Sequence, residues 1–228
     1  MARATPGGGD ARVSERRLYL IRHGKADHRS TRQADTPRGL TADPPLDQIG
    51  RDQSLALARR LRLMPEPTAI YCSTLTRARE TVAPYLEQAG RDATYLDDLA
   101  EWHAGDWELK EFEELLTEHP EMPSRILLQD PVFVLAPHSE PVHAFRSRVV
   151  GAVEEILMAH PDGDVWIVCH GGVINAYIGE ILGVEEQEMF FLPANASINT
   201  VKIDGERRTM WFLGDDTHYT SPELFPEP

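Results

Sequence analysis

Two histidines and two arginines in this chain stand immediately after short apolar runs. Arg22, His23 and Gly24 follow Leu18 to Ile21, and Ser73-Thr74-Leu75-Thr76-Arg77 follows Ala69 to Cys72. His170, Gly171 and Gly172 follow Val165 to Cys169. A phosphate monoester dianion calls for bidentate cationic donors, and arginine offers a planar fork that stays protonated at any working pH. Arg22 and Arg77 are the candidates for those forks. A neutral imidazole can attack phosphorus when its other nitrogen is held by a hydrogen bond that fixes the tautomer. Gly24 would let backbone and an anion approach closely. Gly171, at the start of a helix, would present N–H groups to the same anion. Phosphoryl transfer is the chemistry this set can do.

These residues act together only if the chain brings the three runs side by side. Each run is short, apolar and ends abruptly in polar residues, which reads as a buried parallel strand opening into a loop. Helical periodicity lies between them, over Gln48 to Leu63, Leu75 to Glu87, Val142 to Ala159 and Val173 to Leu182. Gly183 stands where the last of these should stop. Strand and helix alternate, so the class is α/β with a sheet between helices. Ligands in such sheets bind beyond the carboxyl ends of the strands, where the histidines and arginines fall. Ser197 to Ile203 and Thr209 to Leu213 flank Asp204-Gly205-Glu206 as a hairpin.

At 228 residues the chain fits one α/β domain, placed at 17–220. Residues 1–16 mix Gly, Ala, Arg and Pro without periodicity and 221–228 hold three prolines, so both are expected to be flexible. A net charge of −14 opposes docking on nucleic acid or an anionic membrane. No apolar stretch approaches the roughly 20 residues of a membrane span, and the Gly-rich start lacks the apolar core of a signal peptide. Cys72 and Cys169 each end an apolar run, as buried reduced thiols would, so a cytoplasmic location is expected. The oligomeric state is not readable.

Other phosphatase chemistries fail on spacing. A cysteine phosphatase loop places five residues between Cys and Arg, whereas Cys72 and Arg77 have four between them. Asp215 and Asp216 lack the one-residue separation of an aspartate nucleophile, and there is no G-x-x-x-x-G-K-[ST] loop. The remaining histidines show no metal-ligand spacing. Glu185, Glu186 and Glu188 read as a solvated helix end.

Arg22-His23-Gly24 resembles the RHG signature of the histidine phosphatase superfamily, which includes the cofactor-dependent phosphoglycerate mutases. Ser73 to Val82 is similar to that family's second phosphate-binding segment. Leu99-Ala100-Glu101 with Gly105-Asp106-Trp107-Glu108 resembles its proton-donor segment, and His170-Gly171-Gly172 its second histidine. Asn195 to Ile198 and Gly214 to His218 are similar to its last strand and tail. The ordered match runs from about residue 18 to 219. It implies a three-layer α/β/α sandwich with a mostly parallel central sheet, phosphoglycerate mutase-like. It also implies a metal-independent phosphomonoesterase without cofactor, acting on a small phosphorylated substrate. By resemblance His23 becomes phosphorylated, Glu101 protonates the leaving oxygen and then activates water, and Arg22, Arg77 and His170 hold the transferring group. Asp97, Asp98, Asp106 and Glu108 are rivals to Glu101 as the acid.

The chain departs from the family pattern in places. Lys25, Ala26 and Arg29 replace an acidic residue, a Thr or Ser, and an Asn; Lys25 and Arg29 could favour a substrate with a second anionic group. Leu109 replaces a common Gly after Trp107-Glu108, and Ser139-Glu140-Pro141 stands where Gly-Glu-Ser is usual. Trp102 and His103 are possible pocket-lining groups, and about 101–140 is long enough for a cap over the active site. The 69 positions from Glu101 to His170 resemble the shorter phosphatase branch rather than the mutases. A mutase, a protein phosphohistidine phosphatase and an inactive regulatory binding module are the alternatives.

Overall fold

The computed structural model describes residues 16–110, 112–128, 132–184 and 189–225. The expected flexible N-terminus up to Glu15, the last three residues of the expected tail, and Glu185, Glu186 and Glu188 lie outside the described residues.

Chain order gives β1 (Arg16–Arg22), a hairpin of β2 (Gln33–Thr36) and β3 (Gly39–Ala42), α1 (Gln48–Arg62), β4 (Ala69–Ser73), α2 (Thr76–Ala89) and β5 (Thr94–Leu96). Then follow α3 (Phe112–Glu118), α4 (Met122–Leu128), α5 (Val142–Ala159), β6 (Val165–Cys169), α6 (Gly171–Leu182), β7 (Ile198–Asp204), β8 (Arg207–Asp215) and α7 (Thr217–Thr220). The main sheet has the order β5-β4-β6-β1-β7-β8. The first four strands of that order are parallel, β7 runs antiparallel to β1, and β8 antiparallel to β7. This is the mostly parallel α/β/α sandwich.

Strand alternation builds the two sides of the core. Leu18, Leu20, Ile167 and Cys169 point to one face, where they meet Val149, Val153 and Ile156 of α5 and Val173, Ile174 and Tyr177 of α6. Tyr19, Ile21, Ile70, Cys72, Trp166 and Val168 point to the other, against Leu57 and Leu61 of α1 and Ala78, Val82 and Tyr85 of α2. Every residue of β6 is buried, as a central strand covered on both faces requires. Cys72 and Cys169 are free and buried.

Register places the chemistry at one edge. Val168 of β6 pairs with Ile21 on one side and Cys72 on the other. Arg22, Ser73 and His170 therefore leave the sheet at nearly the same level. β5 pairs Leu96 with Ser73 and leads through a 3-10 turn at Asp97–Leu99 to Glu101.

Local signals explain the helix ends. Asp47 Oδ1 accepts the N–H of Gly50 at 2.7 Å and starts α1, while Arg59, Arg60 and Arg62 occupy its last turn, where the helix dipole favours cations. Gly183, at φ 68°, ends α6. Two helices differ from expectation at their starts. α2 begins at Thr76, with Leu75 extended before it. α6 begins two residues early, at Gly171, which puts two backbone N–H groups of the HGG run in its first turn. No helix among the described residues is long and apolar enough to cross a membrane.

Candidate active site

His23 is buried at 7% exposure and lines a cleft of about 350 Å³ together with Arg22, Arg77, Glu101, Trp102 and Glu108. Its Nδ1 lies 2.7 Å from the carbonyl oxygen of Gly24. A carbonyl only accepts, so Nδ1 carries the hydrogen and a neutral ring keeps its lone pair on Nε2. Burial, then the Arg77 charge, hold the ring's pKa well below its ordinary value, and the Gly24 bond only partly opposes this. The site therefore presents an uncharged imidazole whose lone-pair nitrogen, Nε2, is fixed. The loop after it is fastened too: Ala196 N–H and Asn195 Nδ2 both donate to the His23 carbonyl, at 3.0 and 3.1 Å.

His170 stands beside it, ring centroids 5.1 Å apart. Its Nε2 lies 2.7 Å from Ser73 Oγ, and its Nδ1 is buried without a partner among the described residues. Burial and then Arg77 hold this ring neutral as well.

Arg77 is buried, and its Nη1 donates to the Ala42 carbonyl at 3.2 Å, joining α2 to the β2–β3 hairpin. Burial lowers its pKa and that of Arg22, and in each the Glu101 charge is the main opposing influence. Arg22 donates to the carbonyl of Pro193. Asp43 organises this corner. Its carboxylate accepts the N–H and hydroxyl of Thr76, both at 2.6 Å, and so fixes the start of the helix that carries Arg77.

Glu101 is held by two backbone donors: Trp102 N–H to Oε1 and Gly172 N–H to Oε2, both 3.0 Å. The second comes from the first turn of α6, where the dipole favours an anion. A side chain on Gly172 would collide with this carboxylate, since a Cβ there would lie 2.3 Å from Oε1. The loop itself is clamped from α5. Arg148 makes a bidentate pair with Glu140 at 2.6 and 2.8 Å and donates to the carbonyls of Asp98 and Ala100. Trp102 Nε1 donates to the Glu140 carbonyl at 2.6 Å.

The structure thus brings Arg22, His23, Arg77, Glu101 and His170 together. Among the rivals to Glu101, only Glu108 lines the cleft, and its oxygens accept N–H groups of Ala42 and Ala104 at 2.6 and 2.9 Å. Lys25 and Arg29 do not line the cleft. Lys25 Nζ sits 3.4 Å from Asp47, and Arg29, whose side chain is 91% exposed, sits 3.4 Å from Asp27. A Cβ at Gly24 would lie 2.8 Å from the Gly50 carbonyl, so this glycine lets the chain after β1 pass close to α1. Gly171 packs beneath Arg22. Trp102 lines the cleft, whereas His103 sits behind Glu108, 3.3 Å away.

Sequence reasoning missed Ser73, Asp43, Glu140 and Arg148 as positioning groups, and His28, Thr41 and Asn195 as lining groups. A hydroxyl in the residue after a strand was the one available signal, at Ser73. The others act across 33 or more positions or through loop backbone, and no local pattern marks them. Among the described residues no group of three or more His, Cys, Asp or Glu is arranged to hold a metal.

This α/β sandwich gathers two histidines, the buried Arg77, the half-buried Arg22 and a carboxylate at the ends of its parallel strands, the groups that phosphoryl chemistry calls for. The chain belongs to the histidine phosphatase superfamily (branch 1), whose sequence profile matches residues 18–216. It is 27% identical over 207 residues to a putative phosphoserine phosphatase of Hydrogenobacter thermophilus, covering 89% of this chain and 97% of that one. It is 25% identical over 205 residues to a metal-independent phosphoserine phosphatase of Arabidopsis thaliana, covering 90% and 83%. Among solved structures, a mycobacterial glucosyl-3-phosphoglycerate phosphatase in complex with VO3 superposes with a TM-score of 0.73 at 26% identity, covering 87% of this chain and 98% of that one.

Proposed function

We propose that this chain is a phosphomonoester hydrolase that works through a phosphohistidine on His23. The observation that carries this reading is the His23 tautomer: with Nδ1 donating to Gly24, the neutral ring keeps its lone pair on Nε2 in a cleft lined by Arg22 and Arg77. In the first step Nε2 bonds to phosphorus, the bond from phosphorus to the ester oxygen breaks, and protonated Glu101 delivers its proton to that oxygen. In the second step Glu101, now a carboxylate, takes a proton from water as the water oxygen attacks phosphorus. The N–P bond breaks and inorganic phosphate leaves. Arg22, Arg77 and the Nδ1 hydrogen of His170 stabilise the equatorial oxygens throughout, so the charge is met without a metal or cofactor. The phosphatases to which the chain is similar favour hydrolysis over transfer back to a second substrate oxygen.

Acid-labile, base-stable label on the protein after quenching with a ³²P-phosphomonoester is the expected result, as a phosphoramidate requires. His23→Ala should abolish it. Label that survives acid and leaves in base would overturn the assignment, as would activity restored only by added metal after dialysis against chelator. Formation of a phosphate isomer in place of inorganic phosphate would turn the reading toward a mutase.

A further inference from the structure

A second chamber adjoins the cleft. It has a volume of about 500 Å³ and shares His28, Ala42 and Pro44 with the cleft, adding Ser30, Leu109, Lys110 and Leu115 as its own walls. Two observations describe what it would accept.

The first is backbone geometry. Leu109 has φ 66°, the left-handed region that a bulky L-residue enters only at a cost. Its neighbours hold it there: Glu108 accepts the N–H groups of Ala42 and Ala104, and Lys110 N–H donates to the Trp107 carbonyl at 3.1 Å. Glycine would adopt this conformation freely. The leucine supplies a side chain that stands on the chamber wall at 42% exposure, an apolar surface left partly open among the described residues. Strained backbone of this kind clusters at active sites and ligand clamps.

The second is charge. Lys110 Nζ is taken by both carboxylate oxygens of Glu118, at 2.5 and 2.7 Å. Lys25 and Arg29 are paired elsewhere, with Asp47 and Asp27. What remains is apolar wall from Ala42, Pro44, Leu109 and Leu115, with the Ser30 hydroxyl and the His28 ring as the polar exceptions.

We infer that this chamber receives the alcohol portion of the substrate and selects phosphomonoesters of apolar alcohols, aryl-bearing or branched alkyl, over small polar ones such as serine phosphate or phosphoglycerates. Leu109 is the specificity-determining residue. The inference rests on the cleft being the phosphoryl site.

The test compares 2-phenylethyl phosphate with serine phosphate, both esters of alkyl alcohols, so leaving-group chemistry is nearly matched. The enzyme should favour the phenylethyl ester at least about tenfold in kcat/KM, through KM, as burial of one aromatic ring predicts. Leu109→Gly and Leu109→Asn, both compatible with positive φ, should each remove most of that preference, and Leu109→Met should retain it. In parallel, calorimetry should show 2-phenylethylphosphonate binding about tenfold more tightly than methylphosphonate, and less so in Leu109→Gly. Turnover without either preference, or preferences untouched by Leu109→Gly, overturns the inference while leaving the hydrolase reading intact. The binding preference without turnover of either ester supports the chamber and overturns the hydrolase reading. Absence of both overturns both.

Discussion

Ser73 Oγ lies 2.7 Å from Nε2 of His170, and the same oxygen accepts the N–H of Leu75 at 3.3 Å. In the tautomer that the proposed phosphoryl site requires, Ser73 donates to Nε2. The neutral ring is left with its hydrogen on the partnerless Nδ1. Ser73 thus sets His170 as a donor toward the phosphoryl group. Ser73→Ala should lower kcat/KM about tenfold, equivalent to about 1.4 kcal/mol, and weaken inhibition by inorganic phosphate in step. Unchanged phosphate inhibition in a folded variant would remove Ser73 from that role.

Acidification should weaken the fold and the activity together. Both His23 and His170 have folded-state pKa values well below the ordinary 6.5, because burial and the nearby Arg77 penalise their charged forms. The unfolded chain therefore binds protons that the folded chain refuses, and stability rises with pH in that window. Their contribution is complete above about 6.5 and is lost as pH falls toward and through the folded values. Urea midpoints measured from pH 7.5 downward should drop once the pH passes below 6.5, and the drop should be shallower in His23→Asn, which carries one titrating ring fewer. A midpoint that rises on acidification would contradict the neutral histidines.

The main strands, the long helices and the residues gathered at the strand ends were legible because each obeyed a local rule. Leu18 to Ile21 and Val165 to Cys169 are apolar without interruption, as strands covered on both faces must be, and the residues that follow them are the ones the structure gathers at one end of the sheet. The β2–β3 hairpin was not legible: Gln33–Thr36 and Gly39–Ala42 are four residues each, without apolar alternation, and they pair outside the main sheet. β5 is a three-residue edge strand and carries no pattern at that length. The targets of Lys25 and Arg29 were equally hidden, because a cation's sequence neighbours do not say which carboxylate it will meet in space. Glu140 was visible only as a departure from a motif; its bidentate contact with Arg148, which fixes the Glu101 loop, needed the packed α5 to be seen.

Gly172 separates the acid's position from its chemistry. A Cβ there would lie 2.3 Å from Oε1 and 3.1 Å from Cδ of Glu101, so Gly172→Ala must swing the carboxylate away from both of its N–H donors. Alanine gains about 0.5–1 kcal/mol over glycine within a helix, so the variant should fold with little loss. Turnover of an alkyl phosphate should nonetheless fall about a hundredfold. Gly171→Ala is the control, since its Cβ would make only ordinary contact, 3.4 Å from Arg22 Nε. Equal effects of the two substitutions on turnover would count against Glu101 as the group that Gly172 accommodates.

Glu101 itself is tested by the leaving group. If it protonates the departing oxygen, Glu101→Gln should slow phosphorylation of the enzyme by alkyl phosphates about 10² to 10⁴-fold, roughly 3 to 5 kcal/mol of barrier, because the amide keeps the shape of the carboxyl but has no proton to transfer. Affinity should change much less, since Arg22, Arg77 and His170 remain. Nitrophenolate is stable as an anion and needs little protonation, so the same variant should be far less impaired in phosphorylation by nitrophenyl phosphate. Single-turnover kinetics are required, because the second step also uses Glu101, to activate water, and slow dephosphorylation would mask the difference at steady state. Gly172→Ala should share this dependence on the leaving group, since it displaces the same carboxylate. Equal impairment of phosphorylation by both esters, or little impairment by either, would exclude Glu101 as the acid. Glu108, the other carboxylate that lines the cleft, would then be the residue to replace.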